Sequence, residues 1–145
     1  MNIVTATPPS LRRRGAQRAS KSIGFEWGIA EELGKNIRLL EMFGLAGVKH
    51  LNSYFKVYNQ KHFQKISLIS KINTSSIPYC PIVAGTNFLD QVNNLETMDE
   101  INFENMAYPL LFLPFVSRST EIVGKRIFLN IDEKEFLLNF KDITL

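Results

Sequence analysis

Cysteine is almost absent from this sequence, since Cys80 is the single one among 145 residues. One thiol excludes an internal disulfide framework and a cysteine-rich zinc site. The cysteine usage therefore predicts a reducing, cytoplasmic location.

Long apolar segments are missing as well. The longest, AYPLLFLPFV at residues 107–116, contains two prolines and is shorter than the roughly 20 residues that a membrane-spanning helix needs. Residues 1–15 lack the apolar core and small-residue cleavage site of a secretory signal. We expect a soluble protein without a membrane partner.

Sequence motifs of the common cofactor and catalytic sites are absent too. The chain has no GxxxxGK[ST] phosphate loop, no GxGxxG turn and no GxSxG nucleophile elbow. His50 and His62 have no second ligand three or four residues away, which a metal site on one helix face would need. We therefore expect no metal and no cofactor.

The composition is that of a globular protein, with 45% hydrophobic and 21% charged residues. The length suits one domain with a core of its own. Residues 1–9 end in two prolines and predict a flexible tail. We expect a single globular domain over residues 10–145.

Charge is divided unevenly along the chain. Residues 1–80 hold 12 Lys and Arg against 4 Asp and Glu, whereas residues 81–145 hold 5 against 10. A basic cluster near the start could bind an anion or a nucleic acid. Nucleic acid is not expected as a partner, because no aromatic residues alternate with these cations for base stacking. The candidate anion-binding residues are Arg12, Arg13, Arg14 and Arg18.

Apolar periodicity predicts two consecutive helices. The first begins at Trp27 and places apolar residues every three or four positions as far as Leu40, with Gly44 as its end. Glu31 and Lys35 lie four residues apart and are expected to form an ion pair on its outer face. The second helix spans residues 46–58, and its predicted inner stripe is Val48, Leu51, Phe55 and Tyr58.

Later segments mix strands and helices. Alternating apolar residues predict a strand at residues 65–72, and Pro81 suits the first turn of a helix over residues 81–95. A further helix over residues 109–123, kinked or delayed by Pro114, precedes a hairpin of residues 125–131 and 135–140. The predicted fold is α+β: an N-terminal helical hairpin, then a small mixed sheet with one or two further helices.

Cys80 is the best candidate for a catalytic residue. It lies directly before the predicted helix at Pro81, where unpaired N–H groups and the helix dipole favour a thiolate. A nucleophile also needs a base or carboxylate beside it. The alternative is a buried, inert cysteine.

Trp27, Glu31 and Glu32 form the other candidate cluster, and with Cys80 they are the predicted ligand-binding residues. Trp27 begins the apolar stripe, which indicates a role in the core. Glu32 lies off that stripe and is expected in water, where a carboxyl keeps its ordinary acidity. The pattern therefore favours a packing face over a site of proton transfer.

Three stretches together resemble a bacterial family catalogued as domain of unknown function 3726. They are residues 22–47, 79–90 and 106–129. The interval between the helical hairpin and the cysteine is shorter than usual for that family, which leaves two explanations open: part of the family core is missing, or the chain is an abbreviated member. No activity is implied by the resemblance. The matching residues are Gly24, Trp27, Gly28, Ala30, Glu31, Glu32, Gly34, Cys80, Pro81, Ala84, Gly85, Pro109, Leu110, Leu111, Leu113, Pro114 and Phe115.

The sequence leaves three functions open. The leading interpretation is non-catalytic binding of a small molecule or a protein partner. The first alternative is an enzyme that uses Cys80 with a nearby carboxylate or histidine, and the second is anion or nucleic-acid binding by the basic N-terminal helix.

Overall fold

The computed structural model describes residue 16 and residues 27–58, 62–139 and 142–144. Contacts group the chain into two compact units, Met1–Phe55 and Lys56–Leu145, and each unit is described by itself below. The predicted tail and the predicted basic helix lie outside the described residues, apart from Ala16, which is helical and buried. The single domain over residues 10–145 stays a prediction.

Helix α1 spans Trp27–Met42 and follows the predicted apolar stripe. Ala30, Leu33, Ile37 and Leu40 are at most 1% exposed, because residues three and four apart share one face of a helix. The predicted stripe is confirmed at these four positions.

The end of α1 is a Schellman motif around Gly44. The N–H of Leu45 donates to the carbonyl of Leu40 at 2.9 Å, and the N–H of Gly44 donates to the carbonyl of Glu41 at 3.1 Å. Gly44 has φ +70°, a left-handed conformation that glycine adopts without a steric penalty. The predicted helix end at Gly44 is confirmed.

Helix α2 spans Gly47–Tyr58 and packs closely on α1. A Cβ at Gly47 would lie 2.8 Å from the Cβ of Leu40, so the two helix backbones meet where a side chain is missing. The predicted inner stripe is only partly right, since Tyr54 is fully buried while Val48 and Phe55 are half-buried. The contact at Gly47 sets which face of α2 is innermost, and Tyr54 lies seven residues further along that face.

The predicted strand at residues 65–72 is wrong except at its end, where strand β1 spans Ile72–Asn73. Leu68 is 79% exposed and Ile69 is 3% exposed, which reverses the expected alternation. The backbone here bonds to the side chain of Gln91, a turn residue later in the chain: the N–H of Ile69 donates to Oε1 of Gln91, and Nε2 of Gln91 donates to the carbonyl of Ser67. Those bonds replace a strand ladder.

The predicted helix after Cys80 is present but divided. Helix α3 spans Pro81–Asp90 with the proline in its first turn, and the short helix α4 spans Val92–Leu95. Ile82, Gly85 and Phe88 of α3 are buried. The chain turns at Gln91, whose side chain holds the preceding loop.

Residues between α4 and the last helix form a second short pairing. Strand β2 spans Asn102–Phe103 and runs parallel to β1. A 3₁₀ turn, Pro109–Leu111, leads into helix α5, Leu113–Val123, with Pro114 in its first turn and Gly124 after its end. The predicted delay at Pro114 is confirmed.

The chain finishes in an antiparallel sheet of three strands ordered β3-β4-β5. Strand β3 spans Ile127–Ile131 and β4 spans Lys134–Asn139, with Ile131 opposite Lys134 across a two-residue turn. This is the predicted hairpin. Strand β5, Asp142–Thr144, pairs with β4 and was not predicted.

The α+β class is confirmed, with the helical hairpin first and the strands after it. The described strands form two separate sheets, one parallel and one antiparallel. In the unit Lys56–Leu145 the core lies where α3 and α5 meet. A Cβ at Gly85 would overlap the ring of Phe115, so these helices also touch through a glycine.

Candidate functional site

A groove of about 860 Å³ lies within the unit Lys56–Leu145. Its lining comes from α3 and α4, from the segment around β2, from the 3₁₀ turn and α5, and from β3. This volume is typical of sites that hold a small molecule or a short segment of chain. The groove is therefore the main candidate for a binding site among the described residues.

Three phenylalanine rings form the floor of the groove. The ring of Phe112 meets Phe88 at 5.5 Å between centroids and Phe103 at 5.2 Å, both edge to face. Edge-to-face pairs contribute about 0.5–1.5 kcal/mol each beyond their buried area. Phe88 and Phe112 are buried and Phe103 is half-buried, so an apolar surface faces the open space.

Strand β3 forms one wall of the groove, with its edge towards the open space. Every residue from Lys125 to Asp132 lines the groove, although successive strand residues point to opposite faces of a sheet. Residues from both faces of the strand can line one space only if that space runs along the edge of the strand. Within the described residues, β3 has β4 as its single neighbour.

The turn of the hairpin decides which backbone groups of β3 point into the groove. A two-residue turn makes Ile131 and Lys134 a hydrogen-bonded pair, and such pairs recur at every second residue of an antiparallel ladder. Leu129 and Ile127 therefore bond to β4. The N–H and C=O groups of Phe128 and Asn130 point away from β4, towards the groove.

Charged residues surround the groove unevenly. Lys125 is paired with Glu96, with Nζ 3.2 Å from Oε1. This pair joins the start of β3 to the end of α4 across the groove. The charged lining residues are four acids and two bases: Glu96, Asp99, Glu100, Asp132, Lys125 and Arg126.

Cys80, the predicted catalytic residue, lies outside the lining of this groove. It is 2% exposed and directly precedes α3, and its N–H donates to the carbonyl of Gln64 at 3.0 Å. Tyr58 lies close enough for its pKa to be affected: burial raises the pKa of the phenol, and the electrostatic interaction with Cys80 raises it further. His62, in the same unit, is exposed.

Glu31 and Glu32 lie on α1, in the unit Met1–Phe55, and both are half-buried. The predicted ion pair of Lys35 with Glu31 is wrong, because Lys35 pairs with Glu32 at 3.6 Å, one helical turn apart. Glu32 is therefore not simply in water. Trp27 begins α1, and its side chain lies outside the described residues. A site shared by these residues and Cys80 stays a prediction.

The predicted anion-binding residues Arg12, Arg13, Arg14 and Arg18 lie outside the described residues. Within the described ranges, no cluster of three or more His, Cys, Asp or Glu side chains could hold a metal ion. None of the helices in those ranges has the length and apolar character needed to cross a membrane.

Comparison with known proteins gives one finding. The model of the family described as Protein of unknown function (DUF3726) matches residues 15–80. The match covers a little under half of the chain, and it confirms the predicted resemblance to this family over those residues. No curated protein matches the chain, and no solved structure matches it.

The DUF3726 match covers the helical hairpin and ends at Cys80. It includes Trp27, Glu31 and Glu32, whereas the residues that line the groove begin at Phe88. The groove therefore lies outside the part of the chain that the DUF3726 model describes.

Sequence reasoning missed the groove entirely. One signal was available: Phe128 stands between charged and polar residues at Arg126 and Asn130 and is 65% exposed in the structure. This large apolar side chain on the polar side of a strand was the one local feature of the groove that the sequence offered. The rest of the site comes from segments that are distant in sequence.

Proposed function

We propose that this chain is a non-catalytic binding domain, and that it binds an extended segment of a protein partner along strand β3. One observation carries the proposal: the groove follows the edge of β3 over residues 125–132. An extended segment can join the sheet there as a further strand, which is a common mode of peptide recognition. A cytoplasmic location remains part of this proposal.

The edge of β3 supplies the hydrogen bonds for such a segment. Phe128 and Asn130 each offer one N–H and one C=O on the side away from β4. Exposed strand edges are templates for pairing with another chain. The five residues of β3 are about 17 Å long, which matches a segment of five to seven residues in the groove.

A library of displayed random heptapeptides tests this function directly. We expect the selected peptides to alternate apolar and polar residues, because only every second side chain would face the aromatic floor. Binding should be lost in Asn130→Pro, which removes one outward N–H and no bond to β4. Asn130→Ala is the matched control, since it keeps the N–H and should keep binding.

The proposal fails if Asn130→Pro and Asn130→Ala bind the selected peptides equally well. The thermal unfolding of both variants has to be compared first. Proline is tolerated where the N–H of an edge strand faces away from the sheet, so we expect both to fold.

A small apolar molecule on the aromatic floor is the second candidate ligand. The half-buried ring of Phe103 favours it, because this ring offers apolar surface without any strand pairing. The fluorescent probe 8-anilinonaphthalene-1-sulfonate is a suitable test. If this candidate is right, Phe103→Ala lowers the bound fluorescence and Asn130→Pro leaves it unchanged.

An enzyme that uses Cys80 is the competing class of function. The thiol is 2% exposed, and a thiolate must be reachable to act as a nucleophile. We expect iodoacetamide to label Cys80 only after denaturation. Rapid labelling of the native protein near neutral pH would support the enzyme and count against a purely binding domain.

A further inference from the structure

We infer that the segment bound along β3 is β3 of a second copy of this chain. This inference rests on the proposed function, since it names the partner for the same strand edge. The two β3 strands would pair antiparallel about a two-fold axis at Leu129, and each three-stranded sheet would join its counterpart in one sheet of six strands. Closed two-fold pairing of this kind is the commonest form of assembly.

The hydrogen-bonding pattern of the edge permits this pairing. In an antiparallel ladder, the residues that exchange bonds lie directly opposite each other. With the axis at Leu129, Phe128 of one copy lies opposite Asn130 of the other, and these are the residues whose N–H and C=O groups point away from β4. The ladder gains four hydrogen bonds at its centre without any change within the hairpin.

The charges at the two ends of β3 select the same register. Arg126 directly precedes β3, and Asp132 directly follows it in the hairpin turn; each lies three positions from Leu129. Antiparallel pairing about Leu129 brings each arginine to the end of the new ladder where the aspartate of the other copy lies, twice in the dimer. Opposite charges that face each other across two strands stabilise the pair, and like charges destabilise it.

Neighbouring registers lack this match. A shift of the axis to Phe128 places Arg126 opposite Asn130, and a shift to Asn130 places Asp132 opposite Phe128. Moving the axis by one residue shifts the two strands by two residues relative to each other. Because the period of a strand is two residues, the N–H and C=O groups that point away from β4 still face each other in both shifted registers. The reciprocal charges are therefore the feature that distinguishes the register centred on Leu129.

Phe128 supplies the apolar contact between the copies. Its side chain is 65% exposed, and it lies on the same side of β3 as Asn130. In the proposed register the two Phe128 rings are diagonal neighbours across the new pair of strands, about 7–8 Å apart, within reach of aromatic side chains.

Analytical ultracentrifugation of charge-reversed variants tests the inference. Arg126→Asp alone and Asp132→Arg alone each turn two attractive pairs into two repulsive pairs. At equal ionic strength we therefore expect the Kd of the dimer to rise about tenfold. The double variant, Arg126→Asp with Asp132→Arg, restores both pairs and should regain the original Kd. Glu121→Arg, on the exposed side of α5, controls for net charge and should have no effect.

Mixing the two single variants gives a second readout. One copy then carries two acidic ends and the other two basic ends, so the mixture should form a heterodimer while each variant alone stays mostly monomeric. Unfolding curves confirm that every variant is folded. A dimer that ignores all these charge changes, or a double variant as weak as the single ones, overturns the inference.

The result also separates this inference from the proposed function. A chain that stays monomeric in every variant, yet binds displayed peptides through the Asn130→Pro-sensitive edge, rejects the second copy and keeps the function. A chain that dimerises equally well with Asn130→Pro does not use the edge for pairing, which rejects the inference. If the unaltered chain, as a monomer, binds none of the displayed peptides, the proposed function is rejected.

Discussion

In each of the two compact units, two helices pack closely at a glycine. The sequence separation of the residues in contact differs greatly between the units. In Met1–Phe55, Gly47 of α2 meets Leu40 of α1, and the two residues are close in sequence. In Lys56–Leu145, Gly85 of α3 meets the ring of Phe115 on α5, thirty residues later. Glycine removes the side chain that would otherwise hold two helices apart.

The difference between the units lies in where their contacts come from. The helical hairpin is held by a turn and by the backbone N–H of Val48, which donates to Oε1 of Glu41 at 2.9 Å. The other unit is held by pairs such as Ile69 with Gln91, which are far apart in the chain. Local patterns therefore describe the first unit well and the second poorly.

Gly85→Ala should give the largest effect on stability. The added Cβ would overlap the ring of Phe115, which is 2% exposed and has the Arg118 guanidinium 5.3 Å from its centre. We expect the free energy of unfolding to fall by about 3 kcal/mol, since overpacking of a rigid core costs roughly that much. Urea unfolding measures it. A loss below about 0.5 kcal/mol would show that α3 and α5 are not in close contact.

Gly47→Ala should have a smaller effect than Gly85→Ala. Its Cβ would lie 2.8 Å from the Cβ of Leu40 and 3.1 Å from the carbonyl oxygen of Ile37. The hairpin can open slightly at its short turn, so we expect a loss of about 2 kcal/mol, measured in the same way. If Gly47→Ala lowers the free energy of unfolding more than Gly85→Ala does, the helix contact in Met1–Phe55 is the less tolerant of the two, contrary to our expectation.

Gln91→Ala tests the long-range bonds that replace the predicted strand. The change removes the acceptor for the N–H of Ile69 and the donor to the carbonyl of Ser67. We expect a loss of about 1 kcal/mol, because a partly exposed hydrogen bond contributes about 0.5–1.5 kcal/mol. Hydrogen exchange at Ile69 should accelerate. Gln91→Glu is the control: it keeps the acceptor, so protection of this amide should persist.

Gly28→Ala should have the smallest effect, and of opposite sign. A Cβ at Gly28 meets nothing within 4 Å, and the residue lies in the first turn of α1. Alanine is the better helix former, so we expect a gain of about 0.5 kcal/mol in the free energy of unfolding. This substitution is the matched control for Gly47 and Gly85. A loss of stability here would mean that glycine substitutions act through something other than close contact.

Sequence reasoning predicted the helices better than the strands. Four positions on α1, the glycine that ends it and the proline-delayed start of α5 are all confirmed, because each depends on residues within one or two turns. The strand at residues 65–72 failed since Ile66, Leu68 and Ile72 alternate correctly but have no neighbouring strand over most of that length. Alternation predicts a strand only where a partner strand is present.

The candidate site was harder to predict than the fold. Cys80 was singled out for its place before a helix, and the structure places it there but buries the thiol. The groove depends on Phe103, Phe112 and the edge of β3, which no local pattern connects. A strand edge is a property of the whole sheet, so the sequence of β3 alone could not reveal it.

The sequence by itself determined the class of the fold, the helical hairpin, the presence of the β3–β4 hairpin and the resemblance to the DUF3726 family. These features follow from side-chain periodicity, from proline and glycine at the ends of helices, and from motifs that are continuous in the chain. Only the tertiary structure decided that residues 65–71 are not a strand, that Tyr54 is buried, and that β3 borders an open groove. Those outcomes depend on which distant segment satisfies each backbone group and covers each apolar surface, and such competition is settled only when the chain is folded.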